Sequence, residues 1–159
     1  LLEDNKPAYI RVGRNPVDVI YSEENIDFKL NRANVIKEGT DAAIIACGEM
    51  VKPAIDAARA LENEGISVSV VDMYCVKPID EKTLLKAAEN AKAVLTVEEH
   101  SIYGGLGSMA AQIISRECPK KVYNMALPDE PVITGSSKEV FDYYGMNSEG
   151  IRKKIKEII

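Results

Sequence analysis

From Asp41 to its end the chain alternates, through short links, between apolar runs of strand length and stretches whose apolar residues recur at helical spacing. Ala42 to Ala46 is continuously apolar, as a strand covered on both faces must be, and Gly48 breaks it. Met50, Val51, Ala54, Ile55, Ala58 and Leu61 then mark one face of a helix that ends at Gly65. Pro53 lacks an amide hydrogen and is tolerated only in a first turn, so this helix begins near Met50. The cycle repeats with a β-branched run from Ile66 to Val71, then a helix capped by Asp80 with Leu84, Leu85 and Ala88 on one side. Ala93 to Val97 predicts another strand. A helix from about Gly107 to Glu117 follows, presents Met109, Ala110, Ile113 and Ile114, and stops at Pro119. Val122 to Ala126 is a weaker strand. Ser148 is expected to cap a last helix, with Ile151, Ile155 and Ile158 inward and Lys153, Lys154 and Lys156 on a solvated face.

Such alternation predicts right-handed crossovers and an α/β fold of three layers, α/β/α, around a mainly parallel sheet. Counting Val35-Ile36 as a short strand before the turn Lys37 to Thr40, the sheet has roughly five strands. Ahead of this lies a different region. Ala8 to Val12, bounded by Pro7 and Gly13, is strand-like, and about twenty polar-rich residues follow with little periodicity. A loop so long is unusual within a compact domain and reads as an interdomain crossing. At 159 residues the chain suits one domain plus a short piece of a neighbour, divided here into residues 1–34 and 35–159. The first residue is Leu1 rather than methionine, which leads us to expect a fragment.

The net charge of −5 and the scatter of basic residues point away from nucleic acid or an acidic membrane as partner. Cys47, Cys75 and Cys118 lie far apart and the chain has one histidine, which argues against a structural zinc site. Free thiols in apolar surroundings suit a reducing compartment, and no apolar run approaches the roughly 18 residues of a membrane span. A cytoplasmic location is the expectation.

Ligands of open parallel sheets bind at the carboxyl ends of strands. Those ends carry Cys47-Gly48-Glu49, Asp72-Met73-Tyr74 and Glu98-Glu99-His100-Ser101, the last followed by Gly104-Gly105-Leu106-Gly107-Ser108. Gly105-x-Gly107-x-x-Ala110 has the spacing of a dinucleotide fingerprint, but that motif directly follows a first strand. Here Glu98 and Glu99 would also repel a pyrophosphate. Close packing of the helix against sheet or partner is the better account of the glycines. Glu98, Glu99 and His100 offer acid–base groups, yet neighbouring residues of a strand point to opposite sides. A loop at a subunit interface, or a satisfied hydrogen-bond cluster, is the stronger expectation for them. Arg11 and Arg14 could each grip a phosphate or carboxylate, or form an interdomain ion pair.

Four blocks in order resemble the transketolase family over essentially the whole chain. Pro7-Ala8-Tyr9-Ile10-Arg11-Val12-Gly13-Arg14 resembles the end of the pyrimidine-binding domain. Lys37 to Ala46 is similar to the first strand of the C-terminal domain, and Val71 to Asp80 to its second strand and exit. Thr96 to Ser101 with Gly104 to Ser108 completes the series. Lys52-Pro53 departs from the family's usual helix start. The likeness is strongest to the separate C-terminal subunit of split bacterial and archaeal transketolases. The wider family includes deoxyxylulose-phosphate synthase and the beta subunits of 2-oxo acid dehydrogenases, which dock an acyltransferase core.

The resemblance implies an enzyme that transfers a two-carbon ketol unit between phosphorylated sugars, as in the pentose phosphate pathway. Thiamine diphosphate and a divalent metal, magnesium, would bind on other domains, with neither expected on this piece. The N-terminal and pyrimidine domains would be its partners, in a homodimer. This chain would supply dimer surface, have no catalytic residue, and be inactive alone. One role carries across: Arg14, in Val12-Gly13-Arg14-Asn15, matches the arginine that holds the substrate phosphate.

Overall fold

The computed structural model describes residue 3 and residues 5–13, 16–24 and 26–159. Five strands, β1 (Asn34–Lys37), β2 (Ala42–Ala46), β3 (Val68–Asp72), β4 (Ala93–Ser101) and β5 (Val122–Leu127), form one sheet in the order β1-β3-β2-β4-β5. The pairs β2–β3, β2–β4 and β4–β5 are parallel, whereas β1 runs antiparallel along the outer edge of β3. The described residues also form five α-helices: α1 (Val51–Asn63), α2 (Glu81–Asn90), α3 (Leu106–Glu117), α4 (Ser137–Tyr143) and α5 (Ser148–Ile158). The fold is the three-layer α/β/α arrangement expected from the alternation.

Two apolar cores flank the sheet because strand residues alternate between faces. Ala42, Ile44, Val70, Leu95 and Val97 meet α1 and the Ile151 and Ile155 stripe of α5. Ala43, Ile45, Val71 and Val94 meet Leu84 and Ala88 of α2 and Ala110, Ile113 and Ile114 of α3. Every residue of β2, the central strand, is buried, which its unbroken apolar run required. Pro53 is the third residue of α1, after a short 3-10 turn at Gly48–Met50, so its missing amide hydrogen falls among those a helix leaves free anyway. Asp80 caps α2 through the Thr83 amide at 3.0 Å.

Several expectations need correction. Pro7 to Gly13 is not a strand, and Tyr9, Ile10 and Val12 are exposed. An isolated apolar alternation has no ladder to join when its neighbouring strands are elsewhere. β4 runs to Ser101 rather than stopping at Val97, so Glu98, Glu99 and His100 lie on a strand, not in a loop. The cap of α5 is Asn147, whose side chain accepts from the Gly150 amide at 2.9 Å, rather than Ser148. The last-helix lysines are not merely solvated. Lys156 pairs with Glu64 at 2.6 Å beside Arg152, and Lys154 lies 5.7 Å from the centre of the Tyr123 ring. Helix α4, set by a capping box of Ser136 and Glu139, was not anticipated. Among the described residues no helix is long and apolar enough to cross a membrane.

Candidate functional site

Strand β2 sits between β3 and β4, and the chain leaves it first to one side and then crosses to the other. In an open α/β sheet such a switch of direction opens a crevice beyond the carboxyl ends of the two strands. Cys47 and Glu49 border it from β2 and Glu98 and Glu99 from β4, with Asp72 at the end of β3.

Glu98 is 3% exposed and faces the start of α3. Its Oε2 accepts from the Leu106 amide and its Oε1 from the Gly107 amide, each at 2.7 Å. A carboxylate thus fills the place where a helix N-terminus would bind an external anion. Gly105 makes this possible, because a Cβ there would stand 2.0 Å from Glu98 Oε2. Gly107 is equally constrained: a Cβ would lie 2.6 Å from Cγ of Asn124 on β5, whose amide oxygen accepts from Thr96 at 3.0 Å. Gly104 adopts a φ of 78° and donates its amide to Ser108 Oγ at 3.0 Å. The glycines that imitate a dinucleotide fingerprint therefore serve helix packing and an internal cap.

Glu99 and His100 are exposed on the last turn of strand before the loop. Burial and the charge of Glu49 raise the Glu99 pKa, and Arg11 draws it back down. The segment Arg11 to Gly13 therefore runs close to Glu49 and Glu99, and a Cβ on Gly13 would stand 3.3 Å from Glu49 Oε1. Arg14 lies outside the described residues. The Cys47 thiol is pushed up to about 12 by burial and by the carboxylates of Glu98, Asp72 and Glu99. It is no nucleophile at neutral pH.

A cluster not foreseen from the sequence lies at the end of β3. Asp72, 4% exposed, accepts a hydrogen bond of 2.6 Å from Tyr21, which also accepts one from Asn34 at 3.2 Å. Burial raises the Asp72 pKa, and the Tyr21 hydroxyl opposes that shift. The Phe28 ring meets Tyr21 edge-on at 5.0 Å and Tyr74 at 4.5 Å between centroids. Tyr74 Oη accepts from the Lys29 amide at 3.0 Å and donates to the Lys29 carbonyl at 3.1 Å. The Ala33 amide donates to Asp80 at 3.1 Å. Two aromatic residues within a polar stretch were the available signal.

Most of the polar groups gathered here are already engaged. Asp72 holds Tyr21, Glu98 holds α3, and the Ser101 and Ser108 hydroxyls receive backbone amides. Among the described residues no group of three or more His, Cys, Asp or Glu side chains could hold a metal. A separate open groove of about 470 Å³ lies between Val17, Met50, Pro53, Phe141 and Met146 and shares only Glu49 with the crevice.

The family model described as "Transketolase, C-terminal domain" matches residues 31–151. The chain is 42% identical over 159 residues to an apulose-4-phosphate transketolase subunit of Phocaeicola vulgatus, matching all of this chain and 51% of that protein. It is 38% identical over 159 residues to 1-deoxy-D-xylulose-5-phosphate synthase of Carboxydothermus hydrogenoformans, across 99% of this chain and 26% of that one. A solved structure named "Split gene transketolase, inactive beta4 tetramer" superposes with a TM-score of 0.84 at 38% identity, covering 92% of this chain and 48% of its own. The chain thus spans about half of the apulose-4-phosphate transketolase subunit and about a quarter of the synthase.

Proposed function

Because the chain belongs to the transketolase family, as its C-terminal domain, we propose that it completes an enzyme which transfers a two-carbon ketol unit between phosphorylated sugars. The single observation behind this assignment of roles is the engagement of Glu98 with α3. The anion site that the helix would offer is closed from within, and the neighbouring carboxylates repel a diphosphate.

Among the described residues no group of three or more His, Cys, Asp or Glu side chains could hold the divalent cation, and Glu98 occupies the start of α3, which supports placing thiamine diphosphate on other domains. No step of the transfer is assigned to this chain. The cofactor belongs, in this reading, to the N-terminal and pyrimidine domains, either on a partner subunit or on the same polypeptide. Residues 1–34 are the tail of the pyrimidine domain and its crossing. Arg14, following the segment that runs close to Glu49 and Glu99, supplies a contact to the substrate phosphate, where a guanidinium fork suits a dianion. A homodimer, a cytoplasmic location and a place in pentose phosphate metabolism complete the reading. Three free cysteines among the described residues agree with a reducing compartment.

The test is reconstitution. The chain, purified alone and then with a partner carrying the missing domains, is assayed for transfer between ketose and aldose phosphates. Activity only in the mixture supports the proposal, and turnover by the 159-residue chain alone ends it. The likeness to the synthase favours a second reading, tested on the same mixture with pyruvate and glyceraldehyde phosphate.

A further inference from the structure

Asp72 is an expensive residue for its position. A strand could end in any small side chain, whereas burying a carboxylate costs stability unless a strong partner offsets it. Its hydrogen-bond donor is Tyr21, which belongs to the crossing segment and lies 51 residues earlier in sequence. With that segment lifted away, the carboxylate would return to water. The contact is therefore a coupling between segment and sheet, and neither core requires it.

Other contacts follow the same path. Asp18 stands 3.9 Å from Lys52 on α1, upstream of Tyr21. Phe28 wedges between Tyr21 and Tyr74, the Lys29 backbone makes two hydrogen bonds with Tyr74, and the Asn31 amide donates to Cys75 Sγ at 3.4 Å. These fasten the crossing to α1 at Asp18 and, from Tyr21 to Ala33, along the end of β3 and the start of α2. What precedes it, Arg11 to Gly13, is thereby delivered close to Glu49 and Glu99.

We infer that Tyr21 and Asp72 form a latch that sets the place of the arginine-bearing segment, making both positioning residues for the subsite of the sugar phosphate. This rests on the proposed function, in which that segment carries the phosphate contact. Neither residue touches substrate. They act by fixing where the segment can stand.

The reconstituted enzyme is compared as wild type, Tyr21→Phe and Asp72→Asn, with phosphorylated and dephosphorylated forms of the same acceptor. Asparagine keeps an acceptor for the Tyr21 hydroxyl, whereas phenylalanine removes the donor. Tyr21→Phe is expected to raise KM for the phosphorylated acceptor roughly fivefold to tenfold, the scale of one ordinary intramolecular hydrogen bond. Its kcat and its KM for the dephosphorylated acceptor should stay within about twofold. Asp72→Asn should resemble wild type. Hydrogen exchange across residues 16–33 should rise in Tyr21→Phe alone, and an unchanged melting temperature for the rest of the domain shows that the fold persists. Unchanged exchange in Tyr21→Phe, or faster exchange with unchanged KM, overturns the latch. A wild-type enzyme indifferent to the acceptor's phosphate defeats the phosphate-contact reading and the proposal with it. A wild type that discriminates, beside a Tyr21→Phe variant that discriminates equally well, defeats the latch alone.

Discussion

A Cβ on Gly105 would stand 2.0 Å from Oε2 of Glu98, the carboxylate that closes the first turn of α3. The two positions are therefore one structural unit. The glycine leaves the space, and the glutamate uses it to satisfy two amides that a helix start cannot satisfy by itself. This unit also decides what the crevice can accept, since an incoming anion would have to displace a buried carboxylate.

Gly105→Ala should lower unfolding stability by about 2 kcal/mol, as expected when a buried charged contact is pushed apart. Glu98→Ala should cost a similar amount. In the double variant the alanine methyl no longer meets a carboxylate, so the two losses should fall well short of adding. Urea unfolding of the four proteins measures this. Strict additivity would show that the two residues act independently.

The Asn147 side chain accepts from the Gly150 amide, so Asn147→Ala should cost about 1 kcal/mol. Ser148→Ala, at the first residue inside α5, should change stability by less than about 0.5 kcal/mol. Thermal melts of the two variants compare them directly. The reverse order would return the cap to Ser148.

Burial raises the Asp72 pKa above its unfolded value, with Tyr21 opposing. An acid shifted in this direction favours the fold fully below the ordinary carboxylate range and loses that contribution as pH rises through its folded pKa. Asp72→Asn removes the ionisation while keeping an acceptor for Tyr21. The variant should gain stability relative to wild type at neutral pH, and the gap should close on acidification. Denaturant titrations between pH 3 and about 8 follow the difference across the range where carboxylates titrate. A gap that widens toward acid contradicts the assignment.

Cys47, with its thiol pushed up to about 12, should resist iodoacetamide at pH 8 in the native chain and react once urea unfolds it. Peptide mass spectrometry after a timed pulse reads the labelling. Prompt native alkylation at Cys47 would mean that the carboxylates around it are not where the structure puts them.

The strand and helix alternation was legible wherever local pattern and burial agree. Ala42 to Ala46 reads as a doubly covered strand because no polar residue interrupts it, and Pro53 marks the start of α1 through its missing amide. Other features depended on contacts distant in sequence. Nothing local at Glu98 tells that its carboxylate meets the amides of Leu106 and Gly107, so β4 was ended too soon. Ala8 to Val12 alternates like a strand, but strands need partners, and this domain offers none to that segment. Tyr21 acquires its meaning only from Asp72. The family likeness, in contrast, was readable from ordered blocks across the chain, and the match over residues 31–151 agrees with it.

Because β1 runs against its four companions, with Asn34 opposite Asp72 and Lys37 opposite Val70, the polypeptide joins the sheet from the rim where the parallel strands finish. A β1 of the other polarity would begin at the far rim and oblige the incoming chain to travel the depth of the domain. The orientation of one short border strand thus chooses which rim looks toward upstream polypeptide, and it does so without a single side chain being specified for the purpose.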